Sequence, residues 1–487
     1  MTSNTLGGVT PLKYRLSWTF AWRSLGIAVA VSFALGVGIA VLGSRLGPLT
    51  MLAVPGALAI LAAAIDGPRT ALALFVLSLP LGLLELPWGL KAAQVVAVMT
   101  VVLVVGNRMS AGLAPLAWAP SAGWALVFVC LALLATPGAV DVGVAVKQDI
   151  SVVVGFLLAL TVSGTLRKPA DLRWLMGLLV VVGAGMCLYS LKDASQLHQS
   201  DFGAAVVANR AVGVFRQPNE LGTFSVVVLM LSIGLCAGAR RWAAQLLFAT
   251  CSAAALAGLV LSLSRGAWLG AAGAVVLFIV LVPPSKPLVA RVGIAALLIT
   301  AAVVASGPQL GLFDLLAARA ASISDATSNP YDDRPLIYRE ALRQIESRPY
   351  LGRGPGNFLA GSEEPDSAAI GVEPLHAHNV LLTVAAEVGI PAALALLGLS
   401  VTLGWRLLSR CRSVARGDPQ QPLIAGLISA LLAVVLQGTV DFTARNATVF
   451  MFLWLTLGLA WAAAFTAASP LQSSGHESIN RAEESYT

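Results

Sequence analysis

Long apolar runs separated by short polar joints organise the chain. They fall at 25–44, 48–65, 70–87, 92–106, 118–136, 145–165, 174–191, 221–239, 242–263, 266–283, 288–306, 380–405, 422–440 and 447–468. Most approach the roughly 20 residues a helix needs to cross a hydrocarbon core. A backbone in lipid must satisfy its own hydrogen bonds, so such runs predict helices. The expected fold is all-α, a polytopic membrane bundle of about 12–14 transmembrane helices with a large, partly helical extracytoplasmic loop. The first run follows Lys13, Arg15 and Arg23 and is too long for a signal-peptide core, so it reads as an uncleaved span.

The joints orient the bundle. With the N-terminus inside, one set of connections carries Arg69, Arg108, Arg167, Lys168, Arg173, Arg240, Arg241, Lys286, Arg291 and Arg406 to Arg416. The short loops on the other side carry only Arg45, Lys91, Lys147 and Arg445. Basic residues accumulate in short cytoplasmic loops, which places both termini in the cytoplasm. The expected division is a cytoplasmic segment 1–24, membrane helices 25–306, an outer loop 307–378, membrane helices 379–468 and a disordered tail 469–487. A second, shorter outer connection runs from Lys192 to Glu220.

Composition sharpens this picture. Charged residues make up 11% and hydrophobic ones 57%, against roughly 25% charged in globular chains. That excludes an ordinary soluble protein, and the net charge of +7 then reflects loop sorting rather than nucleic acid. The five cysteines are scattered without a C-x-x-C pair, so neither a disulfide framework nor a metal cluster is expected from them.

The candidate chemistry lies in the outer loops. Asp332-Asp333-Arg334-Pro335 opens a stretch of helical spacing through Leu342. Arg348-Pro349-Tyr350-Leu351-Gly352-Arg353-Gly354-Pro355-Gly356-Asn357-Phe358 follows, its alternating glycines forcing a tight turn. The loop closes on His376-Ala377-His378-Asn379, directly before the run at 380. Upstream stand Phe215-Arg216-Gln217-Pro218-Asn219-Glu220 and Leu263-Ser264-Arg265-Gly266; downstream stands Ala386-Glu387-Val388-Gly389-Ile390-Pro391.

This ordered set, covering about residues 205–395, resembles the O-antigen ligase and surface-polysaccharide polymerase superfamily of bacterial envelopes. The resemblance implies a membrane glycosyltransferase without cofactor and with no metal. It would take an undecaprenyl-diphosphate-linked glycan donor at the outer face of the bacterial inner (plasma) membrane and join the glycan to an acceptor hydroxyl. The acceptor would be lipid A-core in a ligase, or a growing polysaccharide in a polymerase.

That chemistry asks for fixed positive charge at a diphosphate leaving group and a proton acceptor for the attacking hydroxyl. Arginine suits the first task through its planar, permanently charged fork, and histidine suits the second through a pKa near 6.5. Of the chain's four histidines, His376 and His378 are the candidate catalytic pair. Arg216, Arg265 and Arg334 are the candidate diphosphate ligands, with Asn379, Glu387 and Asp441 as possible supporting groups.

Plainer readings stand beside these. The arginines can pair with Asp332, Asp333 or Glu340, or snorkel to headgroups. Asn379 suits a helix N-cap, and Glu387 and Asp441 can orient an imidazole or simply pair with arginine. Two histidines at i, i+2 with scattered acids offer no closed metal-ligand set. A lipid-linked sugar transporter or flippase is the rival class, but it calls for ionisable groups near mid-membrane.

Overall fold

The computed structural model of the protein describes residues 67–83, 91–119, 121–196, 198–199, 207–208, 210–283, 316, 319–320, 334–362 and 376–465. The expected spans 25–44, 48–65 and 288–306 lie outside these residues. So do the N-terminal segment, the acidic stretch 363–366 and the tail.

Thirteen α-helices occur among the described residues. The first five are α1 (Pro68–Ser78), α2 (Ala92–Ser110), α3 (Ala122–Ala135), α4 (Val142–Thr165) and α5 (Pro169–Tyr189). Next come α6 (Pro218–Gly238), α7 (Trp242–Leu261), α8 (Arg265–Leu281) and α9 (Arg334–Ser347). The last four are α10 (Val380–Glu387), α11 (Ile390–Ser413), α12 (Gln420–Gly438) and α13 (Ala447–Phe465). Eight of these helices are long and apolar enough to span a membrane, namely α2, α4, α5, α6, α7, α11, α12 and α13. The one β element described is a two-residue antiparallel pair, His198–Gln199 with Val207–Ala208. The molecule is a polytopic helical bundle.

The sequence sets the helix ends locally. Proline opens α5, α6 and α11 where a missing N–H costs nothing. Asp141 caps α4 by accepting from the Val144 N–H at 3.0 Å.

Helix α6 is the central element, buried nearly all round and packed on α5, α7, α8 and α12. Small residues allow the close approach: a Cβ on Gly234 would lie 2.7 Å from the Pro422 carbonyl oxygen, and one on Gly222 would lie 2.8 Å from Ala267 Cβ. Membrane helices gain no hydrophobic drive from one another, so such backbone proximity carries their association. At the periphery α11 presents Leu394, Val401 and Trp405 outward, a face suited to lipid.

One expected element is corrected. The run 380–405 is two helices, α10 and α11, broken at Gly389. Gly389 has φ +104°, which L side chains rarely adopt, and Pro391 prevents the helix from simply continuing.

Short basic connections gather at one end of the bundle. Arg108 donates to the Gly164 carbonyl at 2.9 Å, and Arg69 pairs with Asp171 at 2.6 Å. Arg167, Arg240, Arg241, Arg410 and Arg412 border helix ends on this same end, while the histidines and the cavity described next lie at the other.

Candidate functional site

The site begins at the end of α7. After Leu261 the chain turns through Ser262 and Leu263, and Leu263 is held at φ +50°, a strained conformation for a branched residue. This turn exposes two carbonyls. Ser262 O accepts from Arg210 Nε at 2.9 Å, and Leu263 O accepts from Arg319 Nε at 3.1 Å. Arg210 also reaches Asn219 Oδ1 at 2.8 Å, in the first turn of α6. Ser264 then caps α8, whose first residue is Arg265.

These pieces enclose a cavity of about 230 Å³, lined by Arg210, Arg265, Arg319 and Arg334 together with Asn219, Ser264, Gly266 and Asp441. Burial and the charge of neighbouring arginines push Arg210 down to about 9 and Arg319 to about 10, so at neutral pH both are still cations. Four guanidiniums facing one carboxylate, beside a helix N-terminus, make a cavity that favours a multiply charged anion.

Asp441 joins this cavity to the histidines. His378 Nδ1 lies 2.9 Å from Asp441 Oδ1, and His376 Nε2 lies 3.5 Å from the same atom. The imidazole centroids are 4.4 Å apart. Asp441 is buried, which raises a carboxyl, but the two imidazoles overcome this and hold it well below the usual carboxylate range. Burial pushes His376 down, against the pull of Asp441, and so favours its neutral form. His378 is half-buried and sits at φ +48°.

The surroundings account for that geometry. Asn379 caps α10, accepting from the Leu382 N–H at 3.1 Å, and its amide donates to Thr439 O at 3.0 Å, tying the histidine segment to the end of α12. Ala377, between the histidines, packs with Ile337, Ala341, Phe358 and Ala386 in a small apolar cluster. The loop helix α9, the glycine turn and α10 therefore share one core beneath the two imidazoles.

The glycine turn is bolted to the α10–α11 break. Gly354 N–H donates to Glu387 O at 2.8 Å, and Ile390 N–H donates to Pro349 O at 2.8 Å. The Glu387 carboxylate accepts from the N–H groups of Gly356 at 2.9 Å and Phe358 at 3.3 Å. A Cβ on Gly352 would lie 2.4 Å from the Glu387 carbonyl carbon, and one on Gly389 would lie 2.1 Å from the Tyr350 carbonyl oxygen. Asn357 clamps the turn to α4, accepting from Asp141 N–H at 2.7 Å and donating to Asp141 O at 3.1 Å.

The sequence-predicted residues thus separate by place. His376, His378 and Asp441 converge, as do Arg265 and Arg334 in the cavity wall. Arg216 is exposed at the start of α6 and is not among the cavity-lining residues; its backbone N–H donates to Glu220 Oε2 at 3.1 Å. Asn379 acts as the helix cap, and Glu387 holds the glycine turn rather than an imidazole. Arg210 was not singled out in the sequence, and Asn219 stood in the Phe215–Glu220 motif without an assigned role. The one signal for Arg210 is its proximity to that motif. Sequence spacing offered no closed metal-ligand set, yet the fold brings one ligand atom each of His376, His378 and Asp441 within 4.8 Å of one another.

No curated protein is similar enough to the chain to count as a match. Residues 249–397 match the family model described as O-Antigen ligase. The matched stretch holds Arg265, Arg319, Arg334, the glycine turn, both histidines and Glu387, which leaves Arg210 and Asp441 as contributions from the flanking segments before α6 and after α12. Over this segment, about a third of its length, the chain is similar to the O-antigen ligase family.

Proposed function

We propose that the protein transfers a glycan from an undecaprenyl-diphosphate carrier to an acceptor hydroxyl, at the outer face of the bacterial inner membrane. The observation that carries this reading is the adjacency of the four-arginine cavity to the His378–Asp441 pair, joined through Asp441 itself. The short basic connections at the far end support the orientation, since short cytoplasmic loops are the ones enriched in Lys and Arg.

In this reading Arg210, Arg265, Arg319 and Arg334 grip the diphosphate. Asp441 accepts a hydrogen bond from His378 Nδ1–H, which fixes the tautomer and leaves Nε2 as proton acceptor. The acceptor O–H gives its proton to Nε2, and its oxygen bonds to the anomeric carbon of the first donor sugar. The bond from that carbon to the phosphate oxygen breaks, and its electron pair leaves on the polyprenyl diphosphate. The arginines stabilise that developing charge, an effect worth most where donors are fixed beforehand. No metal is needed in this step. A hydroxyl of lipid A-core as acceptor makes a ligase, the reading favoured by the matched family's description; a growing polysaccharide makes a polymerase.

Gene deletion separates the outcomes. Full-length carrier-linked chains that never reach an anchor support ligation. Single repeat units that never lengthen point to polymerisation. Normal surface polysaccharide with donor accumulating in the cytoplasmic leaflet would overturn both and favour a flippase.

A further inference from the structure

The histidine–aspartate cluster has a geometry that proton transfer does not require. Proton acceptance by His378 needs one oriented imidazole and one carboxylate. Here a second imidazole, His376, is buried against the same carboxylate oxygen, and neither of its ring nitrogens makes a hydrogen bond. A buried imidazole without a hydrogen bond is costly unless something else uses its lone pair.

The distances suggest what does. In a tetrahedral zinc site with metal–nitrogen bonds of about 2.0–2.1 Å, ligand atoms lie roughly 3.3 Å from one another. The two edges to Asp441 Oδ1 measure 2.9 and 3.5 Å, bracketing that value, and all three ligand atoms fall within 4.8 Å. Asp441 also lines the cavity, which gives a metal an approach route and leaves its fourth position open. Two imidazole nitrogens with one carboxylate oxygen select zinc or a neighbouring transition ion over magnesium, which prefers an all-oxygen shell.

We propose that His376, His378 and Asp441 form a regulatory site for a divalent transition metal, zinc foremost, whose occupancy blocks glycan transfer. The block rests on the functional reading above. A metal on His378 Nδ1 and Asp441 removes the hydrogen bond that orients the base, and it sets a dication beside the donor pocket. The binding site itself does not depend on that reading. Arg210 and Arg445 face the same cluster and oppose a cation, so the site is expected to release zinc to a chelator rather than retain it.

The test uses the full chain in detergent, stripped with EDTA and titrated with zinc chloride against a chromophoric zinc indicator, with excess magnesium as control. The expected result is one zinc per chain, undisturbed by magnesium and weakened at least tenfold in His376→Gln and in Asp441→Asn. Because Asp441→Asn can also disturb folding, His376→Gln, at a matched thermal-unfolding midpoint, is the deciding variant. Absence of binding, or equal binding by wild type and His376→Gln, overturns the proposal. Transfer by the stripped enzyme is expected to fall at least tenfold once zinc is bound. Tight, His376-dependent binding that leaves transfer unchanged overturns the block and, with it, the assignment of His378 as base, while the metal site stands. Loss of transfer on stripping, restored by zinc, overturns inhibition and makes the ion an activator.

Discussion

His378 and Asp441 are 63 residues apart in the chain, and their side chains meet at 2.9 Å. The contact joins the residue just before the Asn379 cap of α10 to the segment just beyond α12, and each partner reaches it by an unusual local route. His378 takes a positive φ, and Asp441 stays ionised despite burial. Strain and a buried charge held together at one point are features that cluster at functional sites.

If His378 is the proton acceptor, His378→Ala reduces transfer on the order of 10²–10⁴-fold without loss of membrane insertion. Asp441→Asn leaves a hydrogen-bonding side chain but removes the charge that fixes the tautomer, so it too falls steeply. His376→Ala is milder. Turnover at matched protein level checks all three, and a reversed ranking of the two histidines would exchange their roles.

The arginines make a sharper pair of expectations. Arg210→Lys and Arg265→Lys keep the charge but lose the planar fork, so the apparent affinity for a polyprenyl-diphosphate donor drops markedly in both. Arg216 is exposed and not among the residues lining the cavity, so Arg216→Lys is close to wild type. Donor titrations with the three variants check this, and full activity in both Arg210→Lys and Arg265→Lys would reduce the cavity to a diffuse positive field.

Much of the bundle was legible in the sequence because lipid imposes a crude rule. Spans such as Val142–Thr165 and Ala447–Phe465 must be long and apolar, and they announce themselves. The break between α10 and α11 was hidden inside one such run, although Gly389-Ile390-Pro391 carried its signal. The histidines, Arg265 and Arg334 were legible as local motifs. Arg210 was not, because its position comes from the Ser262 carbonyl and Asn219, contacts made only once α6 and α7 pack. Glu387 suggested a partner for an imidazole, and only the fold shows its carboxylate turned to the Gly356 and Phe358 amides.

The joint between the glycine turn and the α10–α11 break leaves little room to vary. Gly389→Ala forces a side chain into φ +104° and against the Tyr350 carbonyl. Strain of this kind costs about 1–3 kcal/mol, and the clash adds to it. The variant is expected to unfold at lower temperature and to lose transfer. Gly404→Ala, where a Cβ meets nothing within 4 Å, serves as the control that leaves both unchanged.

Acid sensitivity follows from His376. Its folded-state pKa is depressed, so below the ordinary histidine value near 6.5 the unfolded chain binds more protons than the folded one. The contribution of His376 to stability therefore falls as pH drops from that value towards the folded pKa. Asp441, also depressed, adds stability that is present above the ordinary aspartate range and is lost only at lower pH. The thermal midpoint of the detergent-solubilised wild type, measured relative to that of His376→Gln, is expected to decline as the pH falls from about 7 to about 5.

The central claim is that the arginine cavity and the His378–Asp441 pair act together on a lipid-linked glycan. The most direct measurement supplies purified protein with a defined undecaprenyl-diphosphate glycan and lipid A-core, and weighs the products by mass spectrometry. The account predicts an acceptor heavier by the whole glycan and an equal amount of released undecaprenyl diphosphate, both absent with His378→Ala. Donor and acceptor recovered unchanged by an enzyme that binds the donor, or transfer undiminished in His378→Ala, would contradict it.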